Sequence, residues 1–455
     1  MVMFQRLSIG GILALLLGVA LFNLFYGLRE ASIVSFDEAR HGISALEMLA
    51  SGNYVANTYL GQYDYWNLKP PLAFYSMLAG FNLFGPTPLG LRFFSAVATL
   101  LTAGMLFWAG KRHSGVCTGI LAVAILLTTR MFIAHHNARA GDADALFILL
   151  ATCAVVMVLD TRPSLKHYCV ACFLASLAFL TKSFHAGPFC LAIALFYFKD
   201  HGIRPKALVR GMLPFLFFAV PVLVWVVFRY HHDGTSFFTH MLGYDAVERL
   251  GGAVEGHGGK PSFTIKFVLS DFRPWLQLAV LALCLMGVLK MQNTALPPIP
   301  ATFVGKLVLA ITLPLLLYTL SPTKLRWYAF CVYPLLSLLL AYLLTVLLRM
   351  TSHTPRLRWG GCGAIALVFC LAQVNTVEAV FARMQRFHDP LQDEMLATAK
   401  EYPKGVAYFL EEGDWDQSHV LLRHFAGTIT LHSGNRAAYD TYEGSKAIFN
   451  KRDIR

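Results

Sequence analysis

The run from Tyr328 to Leu348, YAFCVYPLLSLLLAYLLTVLL, carries no charged residue. Its length is close to the ~20 apolar residues that a bilayer crossing demands. Gly10 to Tyr26, Phe215 to Phe228 and Leu307 to Leu320 repeat the pattern. Helices are the form such blocks take, because hydrocarbon offers no water to backbone N–H and C=O groups. The rest of the composition agrees: 56% of the 455 residues are hydrophobic and 14% charged, where a soluble domain has about a quarter charged. The mean hydropathy is +0.55.

A net charge of +12 would suit a nucleic-acid partner. Here, however, the basic residues cluster beside the apolar blocks, as they do when they orient helices in a membrane, so no nucleic-acid partner is expected. The nine cysteines lie in or beside apolar blocks, which argues for small packed side chains against a disulfide or zinc framework. Ser8 to Gly27 has an apolar stretch too long for a signal peptide and lacks a small-residue cleavage site. It reads as a retained first span.

Orientation follows from the basic clusters. Arg6, Lys111 with Arg112, Arg162 with Lys166, Lys199 through Arg210, Lys290 with Lys306, and Arg349 through Arg358 are separated by pairs of apolar stretches. Placing them in the cytoplasm predicts about eleven spans, with the N-terminus inside and the C-terminus outside the cytoplasmic (inner) membrane. Pro70 to Gly85 is apolar but short, and it is assigned to the outer interface or to a re-entrant helix. After Phe381 acidic residues, turn residues and β-like runs (Val406 to Leu410, Thr428 to Leu431) replace the apolar blocks. The expected division is a transmembrane domain, 1–380, and a small extracytoplasmic α/β appendage, 381–455.

The outer connections hold the reactive side chains. The first has Asp37, Glu38 and Arg40, then an amphipathic run expected to lie on the membrane surface, then Asn67-Leu68-Lys69-Pro70-Pro71. Paired prolines end one element and open the next, which places Lys69 at headgroup level. The second carries Arg139, Asp142 and Asp144. A carboxylate at a helix N-terminus is common for electrostatic reasons alone. Two acidic clusters on one face, together with Lys69, Lys182 and the pair Lys324 and Arg326, compose a site with a base and several cations. Transfer from a phosphate leaving group requires that combination. The long loop from Tyr230 to Pro274 adds Glu248, Arg249 and His257, and His257 is a candidate for a metal, for a phosphate or for solvent alone. A divalent metal ion is a possible cofactor; no other is called for.

These pieces also resemble a known family. Asp37-Glu38-Ala-Arg40, Lys69-Pro70-Pro71-Leu72, Leu91 to Ala96, Ala138 to Leu146, Leu180-Thr181-Lys182, the loop from Glu248 to Trp275, and Ser321 to Pro334 are similar, in order, to the GT-C membrane glycosyltransferases that unite bacterial aminoarabinose transferases with protein O-mannosyltransferases. The fold implied is an all-α polytopic membrane protein with interfacial helices and the small C-terminal α/β appendage. The resemblance implies a polyprenyl-phosphate sugar donor, an acceptor arriving from the outer side and inversion at the anomeric carbon. It implies that Asp37 is the general base, with Glu38 its competitor for that catalytic role. Lys69 and Arg249 would bind the donor phosphate, with Lys182 and Arg326 as further candidates. Arg40, Arg139, Asp142, Asp144 and His257 would bind acceptor or sugar, and Asp142 and Asp144 are also rivals for the base.

Two departures stand out. The family commonly has glutamate before Lys-Pro-Pro, where this chain has Leu68, which weakens a metal site pairing that position with His257. After Lys182 the expected glycine is Ser183. The reading that follows is a glycosyltransferase acting on a cell-envelope glycolipid or glycan of lipopolysaccharide or lipid A type. The alternatives are a protein O-glycosyltransferase and a lipid-linked-sugar flippase, the latter disfavoured because mid-span charge is scarce.

Overall fold

The computed structural model describes residues 2–248, 252, 256–298, 300–410, 416–433, 439–443 and 447–450. Apolar helices dominate. Among the described residues, seven segments are long and apolar enough to cross a membrane: Pro88–Ser114, Leu165–His201, Pro205–Asp233, Arg273–Met291, Ala301–Leu320, Arg326–Met350 and Pro355–Arg386. Ile9–Phe25, Leu72–Phe84, Val116–Leu127 and Asp144–Val156 are shorter apolar helices. Pro205–Asp233 and Pro355–Arg386 expose most of their apolar surface, the arrangement a lipid solvent favours.

The helices that build the site are α1 (Val2–Phe25), α2 (Asp37–Ser51), α3 (Leu72–Phe84), α4 (Pro88–Ser114), α5 (Val116–Leu127), α6 (Arg130–Ala134), α7 (Asp144–Val156) and α8 (Leu165–Lys182). α3 is 13 residues long, roughly 20 Å at 1.5 Å per residue, short of the ~30 Å hydrocarbon core. It lies against α4 so closely that a methyl group on Gly80 would run into the Gly90 carbonyl. Thr87 caps α4 by accepting from the Gly90 amide at 3.1 Å, with Pro88 opening the first turn.

α4 also measures the two ends of the bundle. Arg92 sits near one end and Arg112 near the other, about 30 Å apart along the helix. At the Arg112 end the basic clusters meet half-buried acids: Arg112 pairs with Asp160 at 2.7 Å. Lys306 reaches Asp200 and, at 2.9 Å each, the carbonyls of Val158 and Asp160. The acids and cations expected on the outer side, Asp37, Lys69 and Asp142 among them, collect with Glu38 at the Arg92 end.

The last long helix, Pro355–Arg386, runs through the boundary expected at 380/381, so the change of architecture comes after Arg386. Beyond it stand helix Pro390–Glu401, strand β1 (Val406–Leu410), helix Gln417–Ala426, and strands β2 (Ile429–Ser433) and β3 (Ala447–Asn450). These three strands form a parallel sheet in the order β2-β1-β3. Alternation had suggested strands at 406–410 and 428–431, and both are present. Leu391, Met395, Tyr408, Val420 and Leu421 of this unit share one apolar cluster with Ile43, Phe74 and Met77 of α2 and α3. The appendage is thereby seated on the helices that carry the site.

Candidate active site

Asp37 opens α2 after Phe36, a residue held at φ 63°. The next residue borders the same cavity but has its oxygens taken up: Glu38 is buried, takes two hydrogen bonds from Arg92 at 2.7 and 2.8 Å, and accepts from the amides of Val34 and Gly141 at 2.9 Å each. Burial would raise the Glu38 carboxyl, but Arg92 holds it at about 2. Glu38 thus ties α2, α4 and the 135–143 loop together, and the Gly141 contact draws the second acidic cluster to the first.

Lys69 is placed by its own loop. Arg40 grips Asp64 at 2.7 and 2.8 Å and lies over the rings of Tyr59 and Trp66. Asp64 Oδ1 in turn accepts from the amides of Trp66 and Asn67 at 3.0 Å each. That turn delivers Lys69 to the cavity ahead of Pro70. Lys69 Nζ touches Asn67 Oδ1 at 3.3 Å and has no carboxylate within ion-pair distance among the described residues. Lys182, by contrast, is buried and paired with Asp144. Ser183, which follows it, adopts φ 42°, the left-handed region that glycine enters at little cost. The absent glycine therefore leaves a strained serine.

These parts enclose a cavity of about 710 Å³, within the range that holds a small ligand. Its walls include Asp37, Lys69, Asp142, Asp144, Lys182, His257, Trp327, Tyr328 and Arg383. Of the expected site residues, Arg40 and Arg139 face elsewhere. Arg40 orders the Lys69 loop, and Arg139 donates to the carbonyls of Asn23 (2.9 Å) and Tyr26 at the end of α1. Arg326 is exposed beside the wall, while its neighbours Leu325 and Trp327 line it. Arg249 lies outside the described residues. His257 is exposed and lines the cavity, with its carbonyl accepting from the Lys324 amide at 2.8 Å. Leu68 is buried in an apolar cluster with Trp225 and Phe237, so that position offers His257 no shared metal ligand.

Residues not singled out in the sequence complete the site. His136, at φ 56°, stacks on Trp327 with ring centroids 4.0 Å apart and planes 5° from parallel. Its Nε2 bonds Asp37 Oδ2 at 3.2 Å. Its Nδ1 lies 3.1 Å from Asp142 Oδ2 and 3.6 Å from Asp144 Oδ2, off the line of a hydrogen bond to either. Burial would lower the His136 pKa, but Asp142, Asp144 and Asp37 raise it to about 10. For Asp37, burial works upward while Lys69 and His136 hold the carboxyl well below the ordinary range. Asp142 moves the other way: burial, Asp144 and Asp37 push it to about 6 against His136 and Lys69. Asp37 is also the more open of the two, 27% exposed against 2%. The signal for His136 was the His135-His136 pair just ahead of Asn137. Trp327 and Arg383 carry no local signal in the sequence.

Residues 68–225 match the family model described as dolichyl-phosphate-mannose-protein mannosyltransferase. Over 90% of this chain and 71% of the relative, the sequence is 26% identical to undecaprenyl phosphate-α-4-amino-4-deoxy-L-arabinose arabinosyl transferase 2 of Pseudomonas fluorescens (strain Pf0-1). The chain has the GT-C fold, and its sequence is similar to the membrane glycosyltransferases of this family. The corresponding transferase of Pseudomonas aeruginosa (strain UCBPP-PA14) is 27% identical over 75% of this chain and 61% of its own length. The crystal structure of ArnT from Cupriavidus metallidurans bound to undecaprenyl phosphate superposes with a TM-score of 0.69 at 18% identity, covering 94% of this chain and 86% of that one. The fold expected from the motifs is the one observed, and the multi-pass membrane character follows with it.

Proposed function

We propose that this glycosyltransferase moves one sugar from a polyprenyl-phosphate donor to a hydroxyl of a cell-envelope glycolipid or glycan, of lipopolysaccharide or lipid A type, at the outer face of the cytoplasmic membrane. The observation that carries the reading is the cavity in which an ionised, partly open Asp37 faces the same space as Lys69, a cation with no carboxylate partner among the described residues. The names of the relatives from Pseudomonas, which specify an undecaprenyl-phosphate aminoarabinose donor, support the donor class. Whether the sugar is a pentose or a hexose belongs to the same proposal.

With a hydroxyl acceptor, the acceptor oxygen bonds to the anomeric carbon as Asp37 takes its proton. The bond from that carbon to the phosphate oxygen breaks, and the electron pair leaves on the polyprenyl phosphate. Attack opposite the leaving group inverts the centre. Lys69 stabilises the charge that accumulates on the phosphate. Arg249, in the loop outside the described residues, and the exposed Arg326 are the further donor candidates. Lys182 acts through Asp144. Asp142 and Asp144 set the field around the base, and Asp142 binds acceptor or sugar from the cavity wall. The division into a transmembrane unit, 1–380, and a small extracytoplasmic unit, 381–455, is part of this proposal, and helix Pro355–Arg386 crosses its boundary.

Mass spectrometry of envelope glycolipids from cells with and without the gene tests this reading. A lost mass increment equal to one sugar supports it and names sugar and acceptor together; unchanged glycolipids with an altered glycoprotein would favour protein O-glycosylation instead. Loss of donor movement across vesicles, with transfer intact, would favour a flippase.

A further inference from the structure

We propose that His136 is a positioning residue for transfer: clamped under Trp327 and contacting Asp37, Asp142 and Asp144, its ring fixes the Asp37 carboxylate and fills the place between three acids that a divalent ion would otherwise take. The inference rests on the proposed role of Asp37.

Three buried or half-buried carboxylates in one cavity repel one another and need a cation among them. A charged ring among them meets that need, and its direction is fixed on the Asp37 side. Nε2 bonds Asp37, while Nδ1 makes charge contacts at 3.1 Å to Asp142 and 3.6 Å to Asp144, so the ring also links the connection that carries Asp37 to the one that carries Asp142. Trp327, on a third segment, covers one face of the ring nearly in parallel, an arrangement that favours a cation. Phe36, His136 and Ser183 all line the cavity and all hold positive φ. Such strain persists where surrounding contacts over-determine it, and it gathers at functional sites.

The rival is a bound ion. Asp37, His136 and Asp142 each bring one ligating atom to within 4.8 Å of the others. The groups around the ring are Asp37 and His41 from α2, Lys69 ahead of α3, His135, Asp142 and Asp144 around the loop into α7, Lys182 from α8 and Arg383 from the last long helix. Lys69 and Lys182 already supply positive charge to this cavity, so a divalent ion would have to be added beside them.

The test uses the full-length enzyme in detergent with purified donor and acceptor. His136→Gln keeps a donor toward Asp37 and removes the charge. It is expected to lower kcat about 100-fold, the scale of a misplaced reacting group, with KM for the donor nearly unchanged. The acid limb of its kcat profile is expected to move to higher pH, because one of the causes that hold Asp37 low is gone. A residue needed only for folding would change the amount of folded enzyme and leave that limb in place. Trp327→Leu, which unclamps the ring and keeps His136, is expected to lower kcat about 10-fold. Wild-type transfer is expected to survive exhaustive chelation with EDTA. Abolition by EDTA and restoration by Mn²⁺ or Mg²⁺ would overturn the proposal and make the ring a metal ligand. Wild-type kcat in His136→Gln would also overturn it, and would leave the role of Asp37 standing if Asp37→Asn were inactive in the same assay.

Discussion

Arg92 holds Glu38 through two hydrogen bonds of 2.7 and 2.8 Å, both side chains buried, while Asp37, one residue earlier, opens into the cavity. Successive residues at a helix start point in different directions, and that difference divides two adjacent acids into a structural one and a reactive one. Glu38→Gln should therefore destabilise the protein by roughly 3 kcal/mol, since removing one charge of a buried pair strands the other. The pH dependence has a definite sign. Glu38 is depressed from 4.5 to about 2, so its contribution is complete above pH ~4.5 and is lost as pH falls toward ~2. Thermal unfolding of wild type and Glu38→Gln in detergent should converge across that window.

Ser183 gives a prediction of opposite direction. At φ 42° a side chain costs about 1 kcal/mol relative to glycine. Ser183→Gly should raise the melting temperature by a few degrees at most and leave transfer intact, measured by thermal unfolding and turnover on the same preparation.

The two lysines of the cavity should behave differently. Lys69 has no ion-pair partner among the described residues and lines the cavity beside Asp37, so Lys69→Ala should cut turnover roughly 100-fold with normal melting. Lys182→Met strands the buried Asp144 and should cost roughly 3–5 kcal/mol of stability. Comparing melting temperature and kcat for both variants separates the roles.

Topology offers a separate check. A reporter fused after residue 440 should be active only on the outer side of the membrane, and one at Arg356 only in the cytoplasm, if the basic clusters orient the helices.

The class of the fold was legible because apolar runs such as Tyr328 to Leu348 have one physical solution. The strands were legible as short β-like runs at 406–410 and 428–431, and they stand at Val406–Leu410 and Ile429–Ser433. The cavity was legible in part: Asp37, Lys69, Asp142, Asp144 and Lys182 announce themselves as charges in outer connections. Their partners do not. Glu38 and Asp37 are indistinguishable until Arg92, 54 residues away, reaches one of them. Arg40 and Arg139 resemble ligand-binding cations until Asp64 and the α1 carbonyls claim them. His136 is ambiguous without Trp327, which arrives from a segment distant in sequence. Ser183 shows the converse, since the position of the missing glycine is where the backbone turns left-handed.

The role of Asp37 is tested most directly by Asp37→Asn, which keeps the shape and removes the charge. Its initial rate of sugar transfer from purified polyprenyl-phosphate donor should be measured beside that of Glu38→Gln, each normalised to folded protein. The account predicts a loss of roughly 100-fold or more for Asp37→Asn, the scale of a removed general base, with near wild-type turnover per folded molecule for Glu38→Gln. Transfer by Asp37→Asn at close to the wild-type rate would contradict it and move the base to Asp142, Asp144 or Glu38.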